Sequence, residues 1–330
     1  MRQIAFLAGL LCSVTAFAAD PQLMNMVMPD AKILAGFNES TAVASPLGRF
    51  LVSKIGQNDH FPQGFENATG FNPLQNVSEV LAATSANPSS PGGLVLARGT
   101  FPVDKISAAL TADNSGWQAT TYGGATLLSL SNPKEKTPFA VAFLGNSIAV
   151  GGDLASVKAA IDRSTTVNSI DPTLAAQVSQ LSASEDEWVI CRAPLGSLIP
   201  AGATADAKGP VATVLPLLQN IQSFSGGAKS GENVVFTGDI VTNSDQNAAA
   251  LNAVIRLGIT LGAGSVVSGS NNPQLAQVVQ LLQAMQITTN GPTVDLSLSI
   301  PEAQIETLVN SLPTPVGIIG GAHVRPAALK

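Results

Sequence analysis

The sequence predicts an α+β fold: two tandem, diverged modules, each an antiparallel sheet with helices packed on one face. Three observations predict it. A strand-prone segment followed by an amphipathic helix recurs six times along the 330 residues. Short glycine-containing turns join several strands into hairpins, which argues for antiparallel sheets rather than a doubly wound parallel one. The first strand-helix unit of each half also carries Pro-Leu-Gly at the same place, as Pro46-Leu47-Gly48 and Pro194-Leu195-Gly196.

In the first half, residues 32–37 are β-prone and follow the Pro29-Asp30 turn. Ser45-Pro46 opens a helix, with serine as N-cap and proline at the first position. Leu47, Phe50, Leu51 and Ile55 fall on one face of it. Residues 94–101 form a second strand, and Val103, Ile106, Ala109 and Leu110 give the next helix a narrow apolar stripe. Residues 117–122 turn at Gly123-Gly124 into a strand over 125–131. Residues 139–150 hold two strands around Gly145-Asn146, and Asp153 caps a helix bearing Leu154, Val157, Ala160 and Ile161.

The module boundary falls within residues 164–186, which include a helix over 172–181. Residues 187–192 then form a strand, followed by Pro194-Leu195-Gly196 and a short helix. Residues 221–228 turn near Gly231 into a strand over 234–242. Ser244-Asp245 caps a helix through Ala249, Val254 and Leu257. Residues 286–289 turn at Asn290-Gly291, the strongest short hairpin signal, into a strand of clean alternation over 294–300. Pro301-Glu302 opens a last helix with Ile305, Leu308 and Val309. Residues 87–93, 201–213 and 261–273 read as loops. The organisation expected is a leader over 1–19, a first module over 20–170, a second over 171–312 and a loosely packed tail over 313–330.

Composition narrows the function. Charged residues make up 12%, about half the usual share of roughly 25%, while hydrophobic residues make up 45%. The chain is polar by hydroxyl and amide rather than by charge. Its net charge of −6 argues against binding nucleic acid by bulk electrostatics, which needs clustered cations.

Residues 1–19 read as a secretory leader. Arg2 supplies the positive start, residues 4–14 are apolar, and Ala16-Phe17-Ala18 before Ala19-Asp20 is a small-x-small cleavage site. Cleavage is expected after Ala18 or Ala19. The apolar run is too short to span a bilayer, and no other stretch reaches the length of roughly 20 residues that a span needs. Leu11 before Cys12 is not the small residue that lipidation wants. The mature chain is expected to be periplasmic or secreted, with no transmembrane span. It keeps one cysteine, Cys191, in the apolar setting Trp188-Val189-Ile190, where a buried thiol is the expectation.

Catalytic, cofactor and metal sites are not expected. His60 and His323 are the two histidines; one sits in a polar turn and the other in the tail, and zinc needs three or four ordered ligands. No G-x-S-x-G elbow is present. Ser131 and Lys134 match S-x-x-K, but Pro133 makes a turn of it. Ser156 and Lys158 diverge on a helix. Gly226-Gly227-Ala228-Lys229-Ser230 lacks P-loop spacing and reads as strand and turn. Glu185-Asp186-Glu187 reads as a solvated linker, and Trp117, Trp188 and Tyr122 are few for stacking sugars.

One stretch suggests a ligand surface. Leu275, Val278, Val279, Leu282 and Met285 form a helical stripe, with glutamines at 274, 277, 280 and 283 opposite. Core packing explains such a stripe; the sharper reading is a groove between helix and sheet for an apolar or lipid-like ligand.

Four segments carry a resemblance. They are Met28-Pro29-Asp30-Ala31-Lys32-Ile33-Leu34-Ala35-Gly36, Leu94-Val95-Leu96-Ala97-Arg98-Gly99-Thr100-Phe101, Ile148-Ala149-Val150-Gly151-Gly152-Asp153 and Ser297-Leu298-Ser299-Ile300-Pro301-Glu302-Ala303-Gln304. With these segments the chain resembles uncharacterised exported bacterial proteins that carry a domain of unknown function. The resemblance implies export and transfers no catalytic residue. The function expected is therefore an exported, non-enzymatic binding or envelope-associated protein, partnered by an apolar ligand or another envelope protein. The alternatives are a carrier of an apolar or lipid-like ligand and a hydrolase with an unrecognised Asp/Ser/Lys site.

Overall fold

A single antiparallel sheet of twelve strands runs through the computed structural model. The described residues are 19–38, 45, 48, 63–86, 92–112, 115–131, 137–166, 170–198, 216–268 and 273–311. The strands of the first half are β1 Ile33–Asn38, β2 Val77–Thr84, β3 Gly93–Gly99, β4 Trp117–Tyr122, β5 Ala125–Leu130, β6 Phe139–Leu144 and β7 Ile148–Asp153. Those of the second are β8 Glu187–Cys191, β9 Ile221–Lys229, β10 Asn233–Thr242, β11 Gln286–Asn290 and β12 Thr293–Pro301. Their order is β11-β12-β10-β9-β8-β1-β2-β3-β7-β6-β5-β4. The helices are α1 Pro21–Met26, α2 Gln63–Thr69, α3 Pro73–Asn76, α4 Val103–Thr111, α5 Leu154–Arg163, α6 Pro172–Ser184, α7 Leu195–Leu198, α8 Asp245–Ser268, α9 Pro273–Gln283 and α10 Glu302–Ser311.

The fold is α+β with antiparallel pairing throughout. The sheets of the two halves are continuous, because β1 pairs with β8. Leu34 lies opposite Ile190 there, and Gly36 opposite Trp188. The strands step outward from this seam in matching order, β1-β2-β3-β7-β6 on one side and β8-β9-β10-β12-β11 on the other. The first half adds the hairpin β5-β4 at its edge.

Local chemistry explains where elements start and turn. Asp153 Oδ1 accepts from the Ser156 N–H, and Asp171 Oδ1 accepts from the Thr173 and Leu174 N–H groups, so both satisfy orphan donors of a first helical turn. Ser244 Oγ does the same for Asn247 at the start of α8. Ser45 Oγ accepts from the Gly48 N–H at 2.8 Å, as an N-cap there requires. The apolar face expected after it (Leu47, Phe50, Leu51 and Ile55) lies outside the described residues. At Asn290-Gly291, Gly291 has φ of 55°, which the tight turn between β11 and β12 demands.

The helices cover both faces of the sheet, not one. Leu127 and Leu128 are neighbours in β5, point to opposite faces, and are 2% and 0% exposed. On one face α1, α5 and α6 pack over Leu34, Leu81, Leu94, Leu96 and Val150. On the other, α2 and α4 place Phe65, Val103 and Ile106 against Ala97, Leu128 and Phe143. Alternation carried through the register Ile240–Phe224–Cys191–Ile33 puts α8 on this second face, where Ala248 and Leu251 meet Val294. The physical reason is legible in hindsight: the unbroken apolar run of β6, Phe-Ala-Val-Ala-Phe-Leu, is the signature of a strand buried on both sides. Each fully buried Leu, Ile or Val contributes about 1.5–3 kcal/mol.

Two further differences concern boundaries. Of the loop expected over 261–273, residues 261–268 belong to α8 and Pro273 opens α9, while residues 269–272 lie outside the described residues. β2 was not anticipated, because Val-Ser-Glu-Val-Leu-Ala-Ala-Thr is as rich in helix formers as in β formers. It forms a strand because β1 and β3 supply edges on both sides. The leader and the tail over 313–330 lie outside the described residues, apart from Ala19.

Candidate functional site

A cleft of about 460 Å³ lies at the end of the second half. Gln277, Gln280, Leu281 and Ala284 of α9 form one wall, Ser299 and Pro301 of β12 the floor, and Gln304, Thr307 and Leu308 of α10 the other wall. The i, i+3 spacing of Gln277 and Gln280 and of Gln304 and Thr307 puts each pair on one helical face. Thr307 Oγ1 donates to the Ala303 carbonyl at 2.8 Å, which leaves its lone pairs to accept. The lining is amide, hydroxyl and aliphatic. It can donate and accept hydrogen bonds and does not titrate.

The stripe on α9 and this cleft are different faces of one helix. Val279 is 9% exposed, and Met285 packs with Ile221, Leu251 and Ile287 in the core under α8. Val278 and Leu282 are half-buried. Leu275 lies in α9, but its side chain is outside the described residues. The space beside α9 thus opens along its glutamines, on the side opposite the stripe.

A second, smaller site sits at the β1–β8 seam. A cavity of about 10 Å³, room for one water, is lined by Ala19, Phe37, Asn38, Glu79, Ser182, Glu185 and Trp188. Burial pushes the Glu79 carboxyl above its ordinary range, while the Asp20 N–H, donated at 3.0 Å, pulls it back. Asp20 in turn pairs with Arg98 at 2.6 Å. The neighbouring Glu185-Asp186-Glu187 is no solvated linker. Glu185 Oε1 accepts from Thr237 Oγ1, Asp186 Oδ2 accepts from the Ser230 N–H, and Glu187 is the half-buried first residue of β8. Burial, then the charges of Asp186 and Glu185, push Glu187 up to about 7.

A pair of carboxylates faces across two strands of the second half. Asp239 of β10 stands directly opposite Asp295 of β12. Burial first, and the Asp295 charge second, raise the Asp239 carboxyl above its ordinary value.

The remaining sequence candidates are dispersed. His60, His323 and Lys134 lie outside the described residues. Among the described residues no three His, Cys, Asp or Glu side chains gather to hold a metal. Lys158 Nζ sits 5.0 Å from the ring centroid of Tyr122, away from any serine pairing. Residues 226–229 are inside β9. Cys191 is buried, donates to the Ala193 carbonyl at 3.6 Å, and is pushed up by burial, away from the reactive thiolate. Trp188 is buried against Gly36, and Trp117 packs edge-on against Phe139. No described helix is long and apolar enough to cross a membrane.

No protein-family model matches the chain, and no curated protein matches it. Solved structures do. Crystal form III of TP0453 superposes with a TM-score of 0.51 at 11% identity, covering 89% of this chain and 99% of that one. Crystal form IV gives a TM-score of 0.51 at 11% identity, over 88% and 96%. The likeness is one of fold.

Proposed function

We propose that the protein is an exported, non-catalytic binding protein that holds an uncharged, peptide-like ligand in the α9–α10 cleft. The observation that carries this reading is the lining: three glutamines, a serine, a threonine and four aliphatic residues around about 460 Å³. That volume lies within the 300–1,000 Å³ or so of ligand sites. Each glutamine offers a donor and an acceptor on one planar amide, which complements the alternating N–H and C=O of an extended peptide. Leu281 and Leu308 suit its aliphatic side chains. A charged ligand would lose hydration there without a counter-ion to replace it. The leader's Arg2, its apolar run and Ala16-Phe17-Ala18 support export to a periplasm or outside the cell.

Calorimetric titration with pools of short peptides tests the reading. A neutral pool of Gly, Ala, Val, Ser and Asn should bind, and matched pools carrying Asp or Lys should bind at least about tenfold more weakly. The Gln277→Glu/Gln280→Glu double variant should lose the neutral pool. Equal affinity for all pools, or none, sinks the proposal.

A second reading, a carrier of an apolar ligand, is supported by Val95, Phe139, Phe236 and Phe37, which are 52%, 43%, 39% and 37% exposed on the face shared by α4 and α8. Native mass spectrometry of the exported protein would show a co-purifying lipid, and a ligand-free spectrum removes that reading.

A further inference from the structure

We infer that the chain is cut between Ala18 and Ala19, and that the seam cavity is the seat of the α-ammonium this creates. The inference rests on the export reading and goes beyond it by assigning the bond and the receptor.

The first residues after the small-x-small motif are held one by one. The Ala19 N–H donates to Ser182 Oγ of α6 at 3.0 Å. Ser182 donates its own proton to the Val178 carbonyl at 2.6 Å, so its lone pairs are left to face Ala19. The Asp20 N–H donates to both oxygens of Glu79 on β2, at 3.0 and 3.3 Å. The Asp20 carboxylate caps α1 and pairs with Arg98 of β3. Three elements distant in sequence therefore fix the chain from Ala19 onward.

Charge and space favour a cation there. Glu79 and Glu185 bring two carboxylates to the cavity wall, and Arg98 is engaged by Asp20. An uncut chain presents one N–H at Ala19, which Ser182 takes. A free ammonium presents three, and the walls of the adjoining cavity hold Glu79 and Glu185. Its volume of about 10 Å³ admits one bridging water. Hydrolysis by a peptidase of exported precursors supplies the cation. One water is consumed: its oxygen completes the Ala18 carboxylate, and both its protons end on the Ala19 nitrogen, which leaves as the α-ammonium. Cutting one residue later would discard the Ser182 contact and place Phe17, a large side chain, where the motif wants a small one.

The precursor is expressed in an exporting bacterial host, and the recovered protein is weighed intact and sequenced from its amino end. A chain starting at Ala19 is expected. Mature protein with a free amine is then compared with the same chain Nα-acetylated, alone and with Glu79→Gln/Glu185→Gln. Acetylation should lower Tm by at least about 2 °C in the unmodified sequence and by less than half as much in the double variant. A shortened chain that starts at a residue other than 19, or a Tm that acetylation leaves unchanged, overturns the seat while export stands. Full-length chain beginning at Met1 overturns the export reading and the seat with it.

Discussion

Gly36 and Trp188 stitch the two halves of the sheet together, and replacing Gly36 with Ala measures how tightly. The two residues are directly opposite across β1 and β8. A Cβ built on Gly36 would lie 2.3 Å from Trp188 Cε2 and 2.4 Å from Cζ2. Carbon pairs rest at about 3.5–4.0 Å, so the indole must leave its place for a methyl group to enter. Trp188 is only 6% exposed and has little room to yield. Such overpacking costs about 1–3 kcal/mol. Trp188→Ala should cost about 3–5 kcal/mol through lost burial. In the double variant the methyl meets no ring, and Ala gains about 0.5–1 kcal/mol over Gly in a strand. The pair should therefore couple by at least about 1.5 kcal/mol, well outside additivity for independent sites. Urea unfolding followed by far-UV circular dichroism gives all four stabilities. Two results would refute the reasoning: Gly36→Ala costing under about 0.5 kcal/mol, or the two changes adding within that margin.

Other substitutions test single contacts. Asp20→Ala removes both the cap of α1 and the partner of Arg98 and should cost about 1–2 kcal/mol, whereas Asp20→Asn keeps the cap and should cost less than about 1 kcal/mol by the same urea assay. Glu187 binds a proton more tightly in the folded chain, at about 7 against 4.5, so the native state holds more protons between those values. Its contribution is unpenalised below 4.5, and stability is lost as pH rises through about 7. Glu187→Gln should match the parent in acid and exceed it in Tm above neutrality; parallel Tm–pH curves would discard this view of the residue. Asp239→Asn removes a like-charge pair across β10 and β12 and should stabilise the protein by about 0.2–1 kcal/mol at neutral pH, an advantage that disappears when both carboxyls are protonated in acid.

Most elements were legible because their signals are local. Asn290-Gly291 announced a hairpin, Asp153 a cap, and Val157, Ala160 and Ile161 a buried helical face, and each does that in the structure. The joining of the two halves into one sheet was not legible, since nothing local to residues 32–37 or 187–192 says that those strands pair with each other. Burial on both faces is not announced by alternation, since Phe139 to Leu144 is apolar throughout. The cleft was half visible. The glutamines three apart on α9 were seen, but their meaning depends on Gln304 and Thr307 arriving from α10, a tertiary fact. The acids at 185–187 were seen as a charge run, and only the strand pairing of β8 reveals that Glu187 turns inward.

The claim that the glutamine cleft receives a neutral peptide is tested most directly by the side-chain amide signals of Gln277, Gln280 and Gln304. In isotope-labelled protein these NH₂ pairs are assigned by single Gln→Ala replacements and followed while the neutral peptide pool is added. The account predicts that all three move together and saturate together, and that the Asp-bearing and Lys-bearing pools leave them still. Neutral peptides that shift signals elsewhere while these three stay fixed would contradict it.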